Sequence, residues 1–164
     1  MVVADRVGAL RAPRPVCVAV DGPDAAGKTT FAGVLGDALR ERGRVVVPLA
    51  VDDHPRPEEV RHARGRDSPE GYYRDAVDQD ALIAAVGAPT EPGTIVLCEG
   101  IFLLRPELLG MWDLTIHVTA PFETRLLRAL ARHVPQLGTP TEVEHLYRTR
   151  YEPGQDLYRA EAHP

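Results

Sequence analysis

The sequence predicts an α/β fold in which a parallel sheet of four or five strands is flanked by helices on both faces. Short apolar runs alternate along the chain with segments whose apolar residues recur at helical spacing. A glycine-rich turn joins the first apolar run to the first helical segment. This alternation is typical of a parallel sheet with right-handed crossovers, in which ligands bind at the carboxyl ends of the strands.

Four apolar runs predict the strands, over residues 16–20, 45–51, 94–97 and 114–118. The first two are expected to be buried on both faces, since they are continuously apolar. Acidic residues follow three of the runs: Asp21, the pair Asp52 and Asp53, and Glu99. Because the carboxyl ends of parallel strands meet at one edge of a sheet, we expect these acids to converge on one site.

Helical spacing predicts a helix that begins at Lys28 and ends at Gly43. Further helices are predicted over residues 72–86, 121–132 and 142–151, and proline at position 121 suits a first helical turn. Residues 54–69 are rich in proline and arginine without periodicity, so they are predicted to form a loop. Residues 138–140 are expected to break the chain before the last helix.

The size and composition of the chain indicate one domain over residues 1–164. Of its 164 residues, 44% are hydrophobic and 26% are charged, which is typical of a soluble protein with one core. The net charge of −5 argues against a nucleic-acid partner, which would favour a basic surface. No membrane-spanning run or signal peptide is evident. Cys17 and Cys98 lie in apolar runs, as expected for buried thiols in a reducing cytoplasm.

The turn after the first strand matches the pattern G-x-x-x-x-G-K-[ST] between Gly22 and Thr29. Its glycines let backbone N–H groups turn toward phosphate, and the positive end of the next helix faces the same anion. Lys28 is expected to reach the terminal phosphates and Thr29 to bind magnesium. The flanking strand and helix argue against a chance match, and predict a P-loop NTPase-type fold that binds a triphosphate together with Mg²⁺. The expected nucleotide-binding residues are Gly22, Asp24, Ala25, Ala26, Gly27, Lys28, Thr29 and Thr30.

The other acids have candidate roles in phosphoryl transfer. Glu99 would be the second residue that directs magnesium, either by binding it or through water. Only one of Asp52 and Asp53 is expected to face the site, because consecutive strand residues point to opposite faces. A carboxylate there could accept the proton of an acceptor hydroxyl as a general base. The alternative is that both are solvated turn acids.

Together these features resemble the uridine kinase family of P-loop phosphotransferases, in its short bacterial branch. The middle segment with Tyr72, Tyr73 and Asp75 is the family-specific part. The resemblance implies a five-stranded sheet and transfer of the terminal phosphate of ATP to the 5′-hydroxyl of a nucleoside. It implies that Asp52 is the base, that Asp75 contacts the sugar, and that Tyr72 or Tyr73 lies beside the nucleobase, although packing on a helix face is equally compatible with the tyrosines. The shared segments are residues 20–22, 27–30, 51–53, 64–75, 99–104, 150–151 and 153–154.

Arginines at positions 125, 128 and 132 share one helical face. In the family this region, about residues 125–150, is a mobile lid whose arginines cover the phosphates. Arg128 and Arg132 are therefore candidate catalytic residues that would offset negative charge during transfer. The alternative is a solvated basic face.

The chain also departs from the family pattern. His54 stands where the family usually has an aromatic residue, and His133 where the lid usually has an aspartate. The family continues beyond the position of Pro164 into a fifth strand and a segment beside adenine. Without them, the fourth strand would be an edge that favours self-association or is covered by the last helix, and ATP and GTP would be poorly distinguished. The alternatives to a nucleoside kinase are a kinase for another small alcohol and a nucleotide-binding protein without efficient transfer.

Overall fold

The computed structural model describes residues 2–164, apart from the side chains at positions 133, 135 and 136. Four strands form one sheet in the order β2-β3-β1-β4, and every neighbouring pair is parallel. The predicted α/β fold is confirmed, with four strands among the described residues rather than five. The strands are β1 Val16–Asp21, β2 Val46–Ala50, β3 Ile95–Gly100 and β4 Leu114–His117.

The described residues also form eight α-helices. They are α1 Val2–Ala9, α2 Lys28–Arg40, α3 Glu58–Arg61, α4 Pro69–Asp75, α5 Gln79–Gly87, α6 Phe122–Leu137, α7 Pro140–Leu146 and α8 Glu152–Ala162. None of them is both long and apolar enough to cross a membrane.

Both faces of the sheet are covered, because alternate strand residues enter two different cores. Val18 and Val20 of β1 pack in a core with residues of α1 and α2. Ala19, between them, packs in a second core with residues of α4, α5 and α8. Cys98 is buried in that second core, where burial raises the pKa of its thiol to about 12. The two central strands are therefore continuously apolar, as a doubly covered parallel sheet requires.

The strand β2 differs from its prediction in both burial and length. It lies at the edge of the sheet and is only partly buried, which is where a strand containing Pro48 is tolerated. It ends at Ala50, and residues Val51–Asp53 form a 3₁₀ turn. The paired aspartates therefore lie on a turn, not on the strand itself.

Several helices also differ from their predictions. The helix predicted over residues 72–86 is two helices, because Asp78 caps α5 by accepting a hydrogen bond from the backbone N–H of Ala81. The last helix does not end at Tyr151, since a π-helical turn at Tyr147–Tyr151 continues directly into α8. The predicted loop contains the short helix α3, and α1 was not predicted.

Candidate active site

Left-handed backbone conformations shape the loop after β1. Gly22, Ala25 and Gly27 have φ angles of 151°, 58° and 104°. A side chain at Gly22 would also collide with the chain just after β4, because its Cβ would lie 2.1 Å from the carbonyl oxygen of Val118. Such a loop, set in front of the N-terminus of α2, can turn successive backbone N–H groups toward one anion.

Lys28 and Thr29 begin α2 and place a cation and a hydroxyl beside this loop. Lys28 is buried, and its Nζ donates a hydrogen bond to the carbonyl oxygen of Pro23 at 2.9 Å. Because an ammonium group has three donors, Lys28 can also bind phosphate oxygens. The hydroxyl of Thr29 donates to Oε1 of Glu99 at 2.9 Å, on the neighbouring strand β3. The structure thus brings Lys28, Thr29 and Glu99 together.

The carboxyl group of Glu99 has a pKa above its ordinary value. Burial is the main cause, and the negative charges of Asp52 and Asp53 raise the pKa further. The hydrogen bond from Thr29 and the positive charge of Lys28 lower it, but only in part. A divalent cation next to these groups would stabilise the ionised carboxylate.

The oxygen donors at this point fit magnesium. Mg²⁺ usually takes one or two protein carboxylates and completes its octahedron with phosphate oxygens and water. Glu99 and Thr29 supply a carboxylate and a hydroxyl, and Asp53 lines the same groove. The described residues contain no cluster of three or more His, Cys, Asp or Glu side chains that could hold a metal ion by themselves. A magnesium ion at this point would need further oxygen ligands, from phosphate or water, to complete its coordination.

The turn that carries Asp52 and Asp53 packs tightly against the end of β3. Gly100 permits this approach, because a Cβ there would lie 2.2 Å from the side chain of Val51. The two aspartates face different spaces: Asp53 lies with Glu99, whereas Asp52 lines a separate cavity beside the P-loop. The charges of both aspartates act on Glu99, so the prediction that only one of them faces the site stays a prediction. The turn, and not strand alternation, sets the directions of the two side chains.

Asp21, the third acid at a strand end, is fully buried in a hydrogen-bond network. Its Oδ1 accepts from the backbone N–H of Leu103 at 3.0 Å. Its Oδ2 accepts from the hydroxyl of Tyr158 at 2.9 Å and lies 2.6 Å from Nδ1 of His117. The prediction that Asp21 joins the other acids in one site is therefore wrong. The network instead ties the start of the P-loop to β4 and α8.

The cavity beside Asp52, here called the inner cavity, has a volume of about 310 Å³. That volume is near the lower limit for small-molecule sites. Asp24 of the P-loop lines the cavity and accepts a hydrogen bond from the hydroxyl of Tyr72. The inner cavity is lined by Asp24, Val51, Asp52, Pro55, Arg61, Tyr72, Ala76, Val77, Ile101, Leu137, Tyr147, Arg150 and Tyr151.

Three of these lining residues, Tyr147, Arg150 and Tyr151, come from the π-helical turn. Such turns are rare and occur often at functional sites. Sequence reasoning placed Arg150 and Tyr151 in a family-like segment but gave neither a role, and it did not single out Tyr147 or Arg61. The density of tyrosine and arginine over residues 147–151 is the available sequence signal, and it does not predict a π turn.

The residues expected to contact a nucleoside are distributed differently. Tyr72 lines the inner cavity. Tyr73 is buried in the core against Tyr158, as the packing alternative predicted. Asp75 forms an ion pair with Arg64 at 2.8 Å. Neither Tyr73 nor Asp75 is part of the inner cavity.

The three arginines of α6 also separate. Arg125 is buried and pairs with Glu152, so it holds α6 to α8 and does not face the loop. Arg128 donates to the carbonyl oxygens of Ala25 and Ala26, at 3.2 and 3.1 Å. Arg132 lies one turn further along α6, and the side chain of the neighbouring His133 is outside the described part of the chain.

Arg128 and Arg132 line a second cavity, here called the loop cavity, with a volume of about 860 Å³. Thr30 and the apolar side chains of Phe31 and Val34 line its α2 side. Arg128 and Arg132 therefore lie beside the P-loop, as predicted, whereas Arg125 does not. The loop cavity offers mainly apolar surface next to the phosphate loop.

The sheet order, the P-loop and the placement of Lys28, Thr29 and Glu99 define a P-loop α/β protein. No protein-family model matches the chain. Its structure is similar to that of a possible uridine kinase from Bacillus stearothermophilus, with a TM-score of 0.73, 20% identity, and coverage of 99% of this chain and 91% of that one. It is also similar to a protein provisionally named a fructose transport system kinase, from Silicibacter sp. TM1040, with a TM-score of 0.78, 18% identity, and coverage of 100% and 97%. At these identities the likeness establishes the fold, and for the fold it confirms the predicted resemblance to uridine kinase-like proteins.

Proposed function

We propose that this protein is a phosphotransferase that uses ATP and Mg²⁺ to phosphorylate a hydroxyl group of a small molecule. One observation carries the proposal: Lys28 and Thr29 end the same P-loop whose Asp24 lines the inner cavity, and Thr29 donates a hydrogen bond to Glu99 of β3. A phosphate donor and a small acceptor could therefore bind side by side. Kinase names among the structural neighbours support this proposal.

Each group near the loop has a role in this reaction. The P-loop backbone and Lys28 bind the β- and γ-phosphates, and Thr29 and Glu99 hold the magnesium ion that neutralises them. Arg128, and Arg132 beyond it, add positive charge from α6. The protein supplies position and electrostatics, since phosphoryl transfer needs little covalent chemistry from it.

Asp52 is the proposed general base. The acceptor hydroxyl lies in the inner cavity, gives its proton to the Asp52 carboxylate, and forms a bond to the γ-phosphorus. The bond between that phosphorus and the β–γ bridging oxygen breaks, and ADP leaves with the electron pair. The base of the nucleotide packs on the apolar side of the loop cavity, near Phe31 and Val34.

A nucleoside is the acceptor that the family resemblance implies. The positions of Tyr73 and Asp75, both outside the inner cavity, favour the alternative of another small alcohol. If Asp75 contacts the acceptor, Asp75→Ala should weaken acceptor binding and leave ATP affinity unchanged. Equal acceptor affinity in Asp75→Ala and wild type, by calorimetry, would show that Asp75 serves only its ion pair with Arg64.

A small diffusible substrate and free thiols fit a cytoplasmic enzyme.

The experiment is ADP release with ATP and Mg²⁺ across a panel of nucleosides, sugars and small alcohols. We expect at least one acceptor to raise ADP release well above the rate with water alone, and chelation of magnesium to abolish the increase. Lys28→Ala is the inactive control. ATP binding without any acceptor-dependent turnover would favour the alternative that the protein binds nucleotide but does not transfer phosphate efficiently.

A further inference from the structure

Arg150 is a buried cation in the wall of the inner cavity. Its side chain is 6% exposed. One guanidinium nitrogen donates to the backbone carbonyl of Arg66, and the Nε–H is buried with no hydrogen-bond acceptor in the described structure. The central guanidinium carbon, Cζ, lies 6.0 Å from the ring centre of Tyr72 and 5.9 Å from that of Tyr151. A buried guanidinium with one carbonyl partner and an orphaned donor is costly, because burial of charge and of unpaired donors opposes folding.

Arg61 reaches the same cavity from α3. Its Nε donates to the carbonyl of Arg56 at 2.9 Å, which leaves its terminal nitrogens available. Both arginines act on the hydroxyl of Tyr151: burial and the charge of Asp24 raise the pKa of Tyr151, whereas the charges of Arg150 and Arg61 lower it. The two cations therefore both lie near Tyr151 in the wall of the inner cavity.

Four carboxylates around these two arginines are paired with other groups. A larger cavity of about 710 Å³, here called the outer cavity, shares Arg61, Arg150, Tyr151 and Leu137 with the inner one. The acids of the outer cavity pair with other groups: Glu58 with His62 and Arg66, Asp67 with His145, and Glu142 with Thr139. In the inner cavity, Asp24 accepts from Tyr72. None of these four carboxylates forms an ion pair with Arg61 or Arg150. Asp52, the remaining acid of the inner cavity, is the proposed general base.

Resting on the phosphotransferase assignment above, we propose that the acceptor is an alcohol with an anionic group, a carboxylate or a phosphate, which Arg150 and Arg61 bind. Arginine is the residue best suited to this task, since its planar fork matches carboxylate and phosphate oxygens. Charge delocalises over the guanidinium, so an anion bound at a terminal nitrogen offsets the charge of the whole group, while the enclosed Nε–H stays without an acceptor among the described residues. The anionic group would orient the acceptor, and leave its hydroxyl for Asp52.

The test compares matched neutral and anionic probes by calorimetry. Glycerol is compared with glycerate and with glycerol 3-phosphate, and ribose is compared with ribose 5-phosphate. Uridine is included as a neutral nucleoside. The P-loop itself binds phosphate, so the phosphorylated probes are measured with the loop filled by a non-hydrolysable ATP analogue and Mg²⁺. The affinity for glycerate, the carboxylate probe, is measured both with and without the ATP analogue.

We expect an anionic probe to bind at least about tenfold more tightly than its neutral partner, and this preference to weaken as salt is raised. Arg150→Gln should remove most of the preference, and Arg150→Lys should restore part of it. Arg61→Gln, at a partly exposed position, is the second variant in case Arg150→Gln does not fold. Arg6→Gln removes an exposed charge from α1 and should keep the preference. Comparing the affinities of glycerate and glycerol 3-phosphate shows whether the site prefers a carboxylate or a phosphate.

Two results would overturn the proposal: neutral probes that bind as tightly as anionic ones, or a preference that survives both Arg150→Gln and Arg61→Gln. These results are separable from failure of the phosphotransferase assignment. Anionic probes that bind through Arg150 without any ADP release would contradict the assignment alone. Phosphorylation of uridine in preference to every anionic probe would contradict the anionic acceptor alone.

Discussion

The two halves of the candidate site are built in opposite ways. The phosphate half is built around one contiguous stretch of chain, Gly22 to Thr29, shaped by its backbone conformation and by the start of α2, with Glu99 and Arg128 added from other elements. The acceptor half is assembled from distant segments: the turn at Asp52, helices α3 and α4, and the π turn at residues 147–151. A local motif can therefore define the phosphate half, whereas long-range packing defines the acceptor half.

This difference has a consequence for substitutions. Changes in the phosphate half should affect every nucleotide and every acceptor alike, because in the proposed reaction the loop binds the triphosphate that all donors share. Changes in the acceptor half should leave nucleotide affinity intact and alter which alcohol is used. The predictions below, from the largest expected effect to the smallest, test that separation.

The largest effect is expected at Asp52. Asp52→Asn removes the proposed proton acceptor, so the rate of transfer should fall by about 10²–10⁴-fold, while the Kd for ATP stays unchanged. Asp53→Asn is the matched variant on the same turn; because Asp53 lies with Thr29 and Glu99, it should change the magnesium dependence more than the rate at saturating magnesium. Steady-state kinetics over a magnesium series measures both. If Asp53→Asn lowered the transfer rate and Asp52→Asn changed only the magnesium dependence, the inner cavity would not be the acceptor site.

Lys28→Ala should lower turnover by about 10²–10³-fold, the usual loss when one preorganised donor to a developing charge is removed. Unlike Asp52→Asn, it should also weaken ATP binding, with little change in the affinity for the acceptor. Calorimetry with each ligand separately tests this contrast. Unchanged ATP turnover in a folded Lys28→Ala variant would contradict the assignment of the phosphate half.

Glu99→Gln should stabilise the protein while impairing its use of magnesium. Burial raises the pKa of Glu99, so its ionised form opposes folding at neutral pH. The gain in Tm should be full above that raised pKa, decline as the pH falls through it, and vanish below the ordinary glutamate pKa of about 4.3. Magnesium with nucleotide should raise the Tm of wild type more than that of Glu99→Gln. A variant less stable than wild type at pH 8 would contradict this electrostatic picture.

The smallest effect is expected for the nucleotide base. The loop cavity presents mainly apolar surface, with Phe31 and Val34 from α2, and phosphate contacts carry no information about the base. The Kd values for ATP and GTP should therefore differ by less than about tenfold. A hundredfold preference for ATP, equal to about 2.7 kcal/mol, would show that specific hydrogen bonds to adenine exist.

The same contrast explains what the sequence could predict. The P-loop, the fold class and the partnership of Lys28, Thr29 and Glu99 follow from local pattern, because strand ends of a parallel sheet meet at one edge. Asp21 shows the limit of that reasoning: it occupies a strand end, yet Tyr158 and Leu103, both distant in sequence, enclose its carboxylate. No period or spacing predicts such a partner.

The acceptor half could be predicted only in part. Asp52 and Tyr72 were assigned to it and line the inner cavity, whereas Tyr73 and Asp75 do not. A residue's direction on a short helix depends on where the helix begins, and the cap at Asp78 that divides the predicted helix was not recognised. Arg150 belongs to the cavity because a π turn and tertiary packing place it there, and neither leaves a clear signature in sequence.

The most direct test is the stoichiometry of products with the best acceptor of the panel. We expect one phosphorylated acceptor for each ADP formed, measured by mass spectrometry and an ADP assay in the same reaction. Asp52→Asn should lose both products together while it binds ATP as wild type does. ADP formed without phosphorylated acceptor, or ATP bound with no product from any acceptor, would contradict a site with joined phosphate and acceptor halves.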